Sequence, residues 1–189
     1  CQCTAKRSAQ DIRSLYNIPT DAFVVSYVGR HNSIKGYDIL KEIGEDILRK
    51  HDNVYFLIAG KEEPLQGLDN NRWIEVGWTN DPHSLIAASD VFVLPNRETY
   101  FDLVMLEVLS LGTIIVANNT GGNKYFSNTN TNGIILFNGI AEAVRQIETV
   151  MQIDMDSKNK MMESNKKLFN EQFSLDVFAN NYCRMINSL

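Results

Sequence analysis

Cysteine, excess positive charge and long apolar runs are all scarce in this chain. Three cysteines among 189 residues cannot make a disulfide framework. Cys1 and Cys3 form a lone C-x-C with no second Cys or His pair at metal-ligand spacing, and are expected on a frayed terminus. Cys183 falls in an apolar helical stripe and is expected in the core. This usage fits a reducing cytoplasm. Eighteen Lys and Arg against 23 Asp and Glu leave a net charge of −5, which argues against a general nucleic-acid binder. No run approaches the roughly 18 apolar residues of a membrane span, and the opening Cys-Gln-Cys-Thr-Ala-Lys-Arg is not a signal peptide. Gly-x-Gly-x-x-Gly and Gly-x4-Gly-Lys-Ser/Thr are both missing, so neither common glycine-rich phosphate loop is expected. There is no nucleophile elbow, zinc-ligand array, repeat, low-complexity tract or interdomain linker. The initiating Met is missing too, which suggests an excised domain or a fragment.

What is present reads as one α/β domain. Apolar residues make up 44% and charged residues 22%, ordinary for a globular chain of this size. Short β-branched runs at 23–28, 54–59, 73–76, 91–94, 113–117 and 133–137 alternate with helical periodicity. The expected helices cover 8–18, 37–50, 83–88, 103–111, 139–150, 158–169 and 173–185. Such alternation predicts a doubly wound parallel sheet of about six strands. The Asn- and Thr-rich stretch 127–132 is expected to be an exposed turn.

Residues 90–122 hold the clearest unit, running strand, polar loop, helix, strand and glycine turn. Pro95 stops the first strand, and Gly112 stands at a helix C-cap. The helix between them should bury a stripe of Leu103, Leu106, Val108 and Leu109. Its loop, 96–102, lies at a strand's carboxyl end, where open α/β sheets bind ligands. The amides of a helix start there would suit a phosphate. Glu107 is the anomaly: either an exposed helical glutamate, or an inward acceptor for paired hydroxyls such as a ribose diol. Arg30 and Lys35 sit between another strand end and helix start. Cations are disfavoured at that helix end, so the two suggest a shared anion, with a solvated basic loop as the plain alternative. His31 reads as a loop histidine. Asn80 or Asp81 should cap the next helix, with His83 on the surface of its first turn. Trp78 reads either as a base-stacking residue or as a half-buried loop residue.

These segments resemble the donor-binding half of retaining GT-B glycosyltransferases. The resemblance is carried by Asp90-Val-Phe-Val-Leu-Pro, Phe101-Asp-Leu-Val-Met-Leu-Glu107, Gly112-Thr-Ile-Ile-Val-Ala, Gly121-Gly122 and Gly29-Arg30 with Lys35-Gly36. It covers roughly residues 20–155, leaving closing helices over 156–189. It implies a Rossmann-like fold and transfer of a sugar, with retention, from a nucleoside-diphosphate donor to an acceptor hydroxyl. A UDP-sugar is the best single guess for the donor, and no metal or other cofactor is expected. Arg30 and Lys35 would grip the diphosphate, and Gly29, Phe101, Asp102 and the amides of Leu103 and Val104 would hold the nucleotide. Glu107 would hold the ribose, and Trp78 would lie at the base. Glu98, Thr99 and Tyr100 would meet the sugar. The chain departs from the family pattern twice. The first of two glutamates spaced by seven residues should fall at Thr99 but stands one place early at Glu98, and Asp102 replaces a usual glycine. The resemblance also implies an N-terminal acceptor domain outside this chain, and an acceptor glycan or lipid-linked sugar in bacterial polysaccharide or glycoconjugate synthesis. A cytoplasmic site follows, with peripheral attachment to the inner face of the plasma membrane through that domain. A non-catalytic nucleotide-sugar-binding partner subunit and a GT-B epimerase are the alternatives; a generic α/β interaction domain comes last.

Overall fold

Runs of β-branched and aromatic residues stop at glycine, proline or asparagine, and each stop begins a crossover. The computed structural model describes residues 2–129 and 131–188. In chain order its elements are α1 (Ala9–Leu15), β1 (Phe23–Val28), α2 (Tyr37–Lys50), β2 (Val54–Ala59), β3 (Trp73–Gly77) and α3 (Pro82–Ala87). Then come β4 (Val91–Leu94), α4 (Leu103–Leu111), β5 (Ile114–Asn118), β6 (Ile134–Phe137), α5 (Ile140–Gln152), α6 (Met155–Leu168) and α7 (Leu175–Asn187). Among the described residues the strands form one six-stranded sheet in the order β3-β2-β1-β4-β5-β6. Every pairing is parallel. The winding reverses between β1 and β4, so the loops leaving those two strands diverge and open a crevice at their carboxyl ends.

Period-two alternation sends neighbouring side chains to opposite faces. Val91 and Val93 of β4 join Val25, Tyr27, Ile43 and Ile47 in the core under α2 and α5. Phe92 and Leu94 face the other way, among Met105, Val108, Leu109 and Phe126 under α4 and α6. A third cluster seats α1 and α3 on the first strands through Ile12, Ile18, Val24 and Leu85. Local caps match the chemistry of their residues. Ser8 and Asp11 close a capping box on α1, and Asp81 rather than Asn80 caps α3, ahead of Pro82. Gly112 ends α4 in the left-handed conformation at φ 87°.

Several expectations are corrected. Met105, Val108 and Leu109 are the buried residues of α4, while Leu103 is 73% exposed; with apolar residues almost all round, the helix gives periodicity little to select a face. Leu15 of α1 points outward and leaves Ile12 as its buried residue. Residues 121–128 form a 3-10 helix that buries Phe126, so the exposed turn expected at 127–132 starts later; Asn130 lies outside the described residues. Between α6 and α7 stands a π-helical turn, Phe169–Phe173. Cys183 is exposed rather than in the core, because α7 buries none of its residues. Cys3 is half-buried, and its N–H donates to Ser110 Oγ at 3.2 Å, so it is not frayed; Cys1 lies outside the described residues. Among the described residues no helix is long and apolar enough to cross a membrane.

Candidate functional site

Three loops meet where the sheet's winding reverses. They enclose a cleft of about 560 Å³ lined by Arg30, Ile34 and Lys35 after β1, residues 98–102 after β4, and Thr120 and Gly121 after β5. Backbone contacts bind the loops to one another. Arg97 N–H donates to Ile34 O at 3.1 Å, and Gly122 N–H donates to Thr99 O at 3.1 Å. Thr120 Oγ1 donates to Arg97 O at 3.0 Å, and Asn118 Nδ2 to Asn96 O at 2.9 Å. Two glycines permit this closeness. A Cβ on Gly36, which has φ 66°, would lie 2.0 Å from Pro95 O; one on Gly121, with φ 48°, would lie 1.8 Å from Thr99 O. Both conformations also favour glycine by themselves. Another groove, of about 480 Å³, runs along α6 among Lys160, Glu163, Lys167 and Glu171. It has no converging loop ends, so the switch-point cleft is the candidate site.

The cleft carries opposed charges. The Arg30 guanidinium is exposed and makes no ion pair or hydrogen bond to a described residue, while its carbonyl accepts from Tyr27 Oη at 2.9 Å. Lys35 Nζ, by contrast, holds both carboxylate oxygens of Asp102, at 2.7 and 3.0 Å. Asn96 Nδ2 donates to the same carboxylate. Asp102 is the N-cap residue of α4, yet no side chain caps that helix. The amide end at Leu103 and Val104 thus remains available to an anion.

Of the residues singled out in sequence, Arg30, Lys35, Glu98, Thr99, Phe101 and Asp102 line the cleft, and Tyr100 with them. Gly29, Trp78, Leu103, Val104 and Glu107 do not. Trp78 is 81% exposed beyond β3, so the half-buried reading is corrected. Glu107 is half-buried one turn into α4, with its Oε2 3.7 Å from His83 Nε2 of α3. Ile34, Thr120 and Gly121 also line the cleft, and buried Asn96 supports it through Asp102, without a role predicted for these side chains from the sequence. Asn96 had a legible signal: a polar side chain directly after a buried strand, at the end where such sheets bind ligands.

Behind the β1–α2 loop lies a second polar group. His31 is wholly buried, stacks on Tyr37 with ring centroids 3.9 Å apart, and places Nε2 3.8 Å from Glu75 Oε2. Glu75 Oε1 accepts from Trp73 Nε1 at 2.7 Å and from Tyr37 Oη. Burial raises the Glu75 carboxyl above the usual range, against the lowering effect of those hydrogen bonds. With exposed Glu62, His31 and Glu75 offer three atoms within 4.8 Å of one another, a spacing that could hold a divalent ion.

Comparison with known proteins decides the family. The profile described as Glycosyl transferases group 1 matches residues 22–152. The chain belongs to that family. This group 1 glycosyl transferase chain is 27% identical over 185 residues to the lipopolysaccharide core biosynthesis glycosyltransferase LpsE of Rhizobium meliloti, covering 93% of this chain and 53% of LpsE. It is 22% identical to the O-antigen biosynthesis glycosyltransferase WclY of Escherichia coli, covering 94% and 50%. It therefore spans about half the length of these curated relatives. Among solved structures, Anabaena HepE in complex with UDP-glucose has the same fold at a TM-score of 0.80 and 20% identity, over 98% of this chain and 54% of HepE. Sucrose-phosphate synthase from Thermosynechococcus elongatus matches at 0.77 and 19%, over 97% and 51%. The expected Rossmann-like half of a GT-B fold is what these structures share with the chain.

Proposed function

We propose that this chain is the donor-binding half of a retaining GT-B glycosyltransferase that uses a nucleoside-diphosphate sugar. One observation carries the reading: Arg30, Lys35 and the N-cap position of α4 at Asp102, where no side chain caps the helix, line a single cleft at the sheet's switch point. A diphosphate placed there meets two cations and a helix's amide end, the groups that stabilise charge on a departing phosphate oxygen. The anomeric C–O bond to the diphosphate breaks, its electron pair leaves on that oxygen, the acceptor oxygen bonds to the anomeric carbon, and the acceptor's hydroxyl proton passes to the departing phosphate oxygen. Basic side chains supply the neutralising charge, so the proposal assigns no role to a metal. Glu98, Thr99 and Tyr100 meet the sugar, and Phe101 and Gly29 border the nucleotide. Glu107 turns from His83 to accept from the ribose, and Trp78 stacks at the base.

HepE's complexes with UDP and UDP-glucose support a UDP-sugar as the donor. The lipopolysaccharide and O-antigen relatives support a role in bacterial polysaccharide synthesis, with a glycan or lipid-linked sugar as acceptor. Because the chain spans half of those relatives, transfer requires a second, acceptor-binding domain, through which a cytoplasmic enzyme would reach the membrane face. A second reading, nucleotide binding without turnover, is favoured by the Lys35–Asp102 pair and by threonine at the expected glutamate position.

Calorimetric titration with UDP, GDP, dTDP and ADP tests the proposal. One nucleotide is expected to bind, and Glu107→Ala to weaken it by about 1–3 kcal/mol, the cost of stranded hydroxyl partners. No binding of any of the four at millimolar concentration would sink the donor-site assignment.

A further inference from the structure

Asp102 stands where the resemblance expects glycine, and its carboxylate does something a glycine cannot. Instead of capping α4 it turns across the cleft, giving both oxygens to Lys35 and one also to Asn96. The arrangement is not a loose surface pair. Asn96 is fully buried at the end of β4 and ties its carbonyl to Asn118. The side chains of Lys35 and Asp102 are mostly shielded, at 27% and 16% exposure, so water screens them incompletely. Besides Asn96, the Asp102 carboxylate holds the Lys35 ammonium, and it stands at the N-cap of α4, whose first amides it leaves uncapped. That ammonium and those amides are the two groups that the proposed diphosphate needs.

We infer that Asp102 is an internal competitor of the donor diphosphate, its carboxylate and the phosphate oxygens taking turns on Lys35. The inference rests on the donor-site reading and adds a residue that sets donor affinity. Binding a donor must break the Lys35–Asp102 contact and then tolerate a like charge beside the phosphates, or move that charge away. Arg30, which has no such partner, makes the first contact, and Lys35 joins only when Asp102 releases it. Occupancy of the cleft is thereby coupled to the position of one side chain at the start of α4.

The experiment titrates the 189-residue chain and Asp102→Asn with UDP and with inorganic pyrophosphate, in EDTA and again in Mg²⁺. Asparagine is as good an N-cap residue as aspartate, so α4 should be retained; Asp102→Gly is the second variant, and equal thermal midpoints check the fold. Asp102→Asn is expected to bind both probes about fivefold more tightly in EDTA, the upper end for a partly exposed ion pair. In a Lys35→Met background the same substitution should change affinity far less, because the two charges then no longer couple. Equal or weaker binding by Asp102→Asn and Asp102→Gly overturns the inference while leaving the donor site standing. So does Mg²⁺ strengthening the parent chain but not Asp102→Asn, since the carboxylate would then help to bind the phosphates through the ion. If neither chain binds either probe, the donor-site reading itself falls and takes the inference with it.

Discussion

His31 lies wholly inside the fold with both ring nitrogens lacking a hydrogen-bond partner. Burial holds its imidazole below the ordinary histidine range, and the Glu62 carboxylate pulls the other way. The groups facing it are Glu62, Glu75, Tyr27 and Tyr37. As pH falls through about 6.5 the unfolded chain takes up the proton first, so the stability His31 contributes is complete above that value and is lost on the acid side. Glu75 works in reverse. Its raised carboxyl contributes stability that is full below the ordinary glutamate value and is lost as pH rises through the folded one. His31→Phe keeps the stack on Tyr37 and removes only the first effect. Its urea midpoint should fall less between pH 7.5 and pH 5.5 than the parent's; an equal fall in both chains would count against a neutral buried imidazole. In sequence His31 reads as a loop residue, and a loop it is. Its burial comes from Tyr37 and Glu75, six and 44 positions away, which no local pattern can bring together.

Helices and strands were legible wherever one period dominated. Tyr37–Lys50 is α2 to the residue because its apolar face is strongly one-sided. In α4 nearly every side chain is apolar, so the helix could be read but not its buried face. Caps follow short-range chemistry and were legible too: Asp81→Ala should cost about 0.5–2 kcal/mol of unfolding free energy, measured by urea titration. Gly36 belongs to this scale for a different reason. It holds φ 66° and leaves no room for a methyl against Pro95 O. Gly36→Ala should destabilise by more than about 1 kcal/mol, since strain and clash add, and should weaken UDP binding as Arg30 and Lys35 shift. Unchanged stability with unchanged affinity would mean that the two loops are not held as described.

For the molecule as a whole, burial is uneven. Phe92 sits at the centre of the α4–α6 face, fully enclosed, and Phe92→Ala should cost about 3–5 kcal/mol. On α7 the apolar Leu175, Phe178, Tyr182 and Met185 are all exposed. Replacing Phe178 and Tyr182 together with serine should move the urea midpoint of this chain by no more than about 0.5 kcal/mol allows; a large loss would place α7 in the core. Local sequence was enough to establish the alternating α/β fold, the switch-point loops and the resemblance to a donor-binding half. Those features depend on side-chain period, turn residues and motifs within some 30 positions. The partnership of Lys35 with Asp102 joins residues 67 positions apart. It arises only because β1 and β4, separate in the chain, are neighbours in the sheet and point their ends into one crevice.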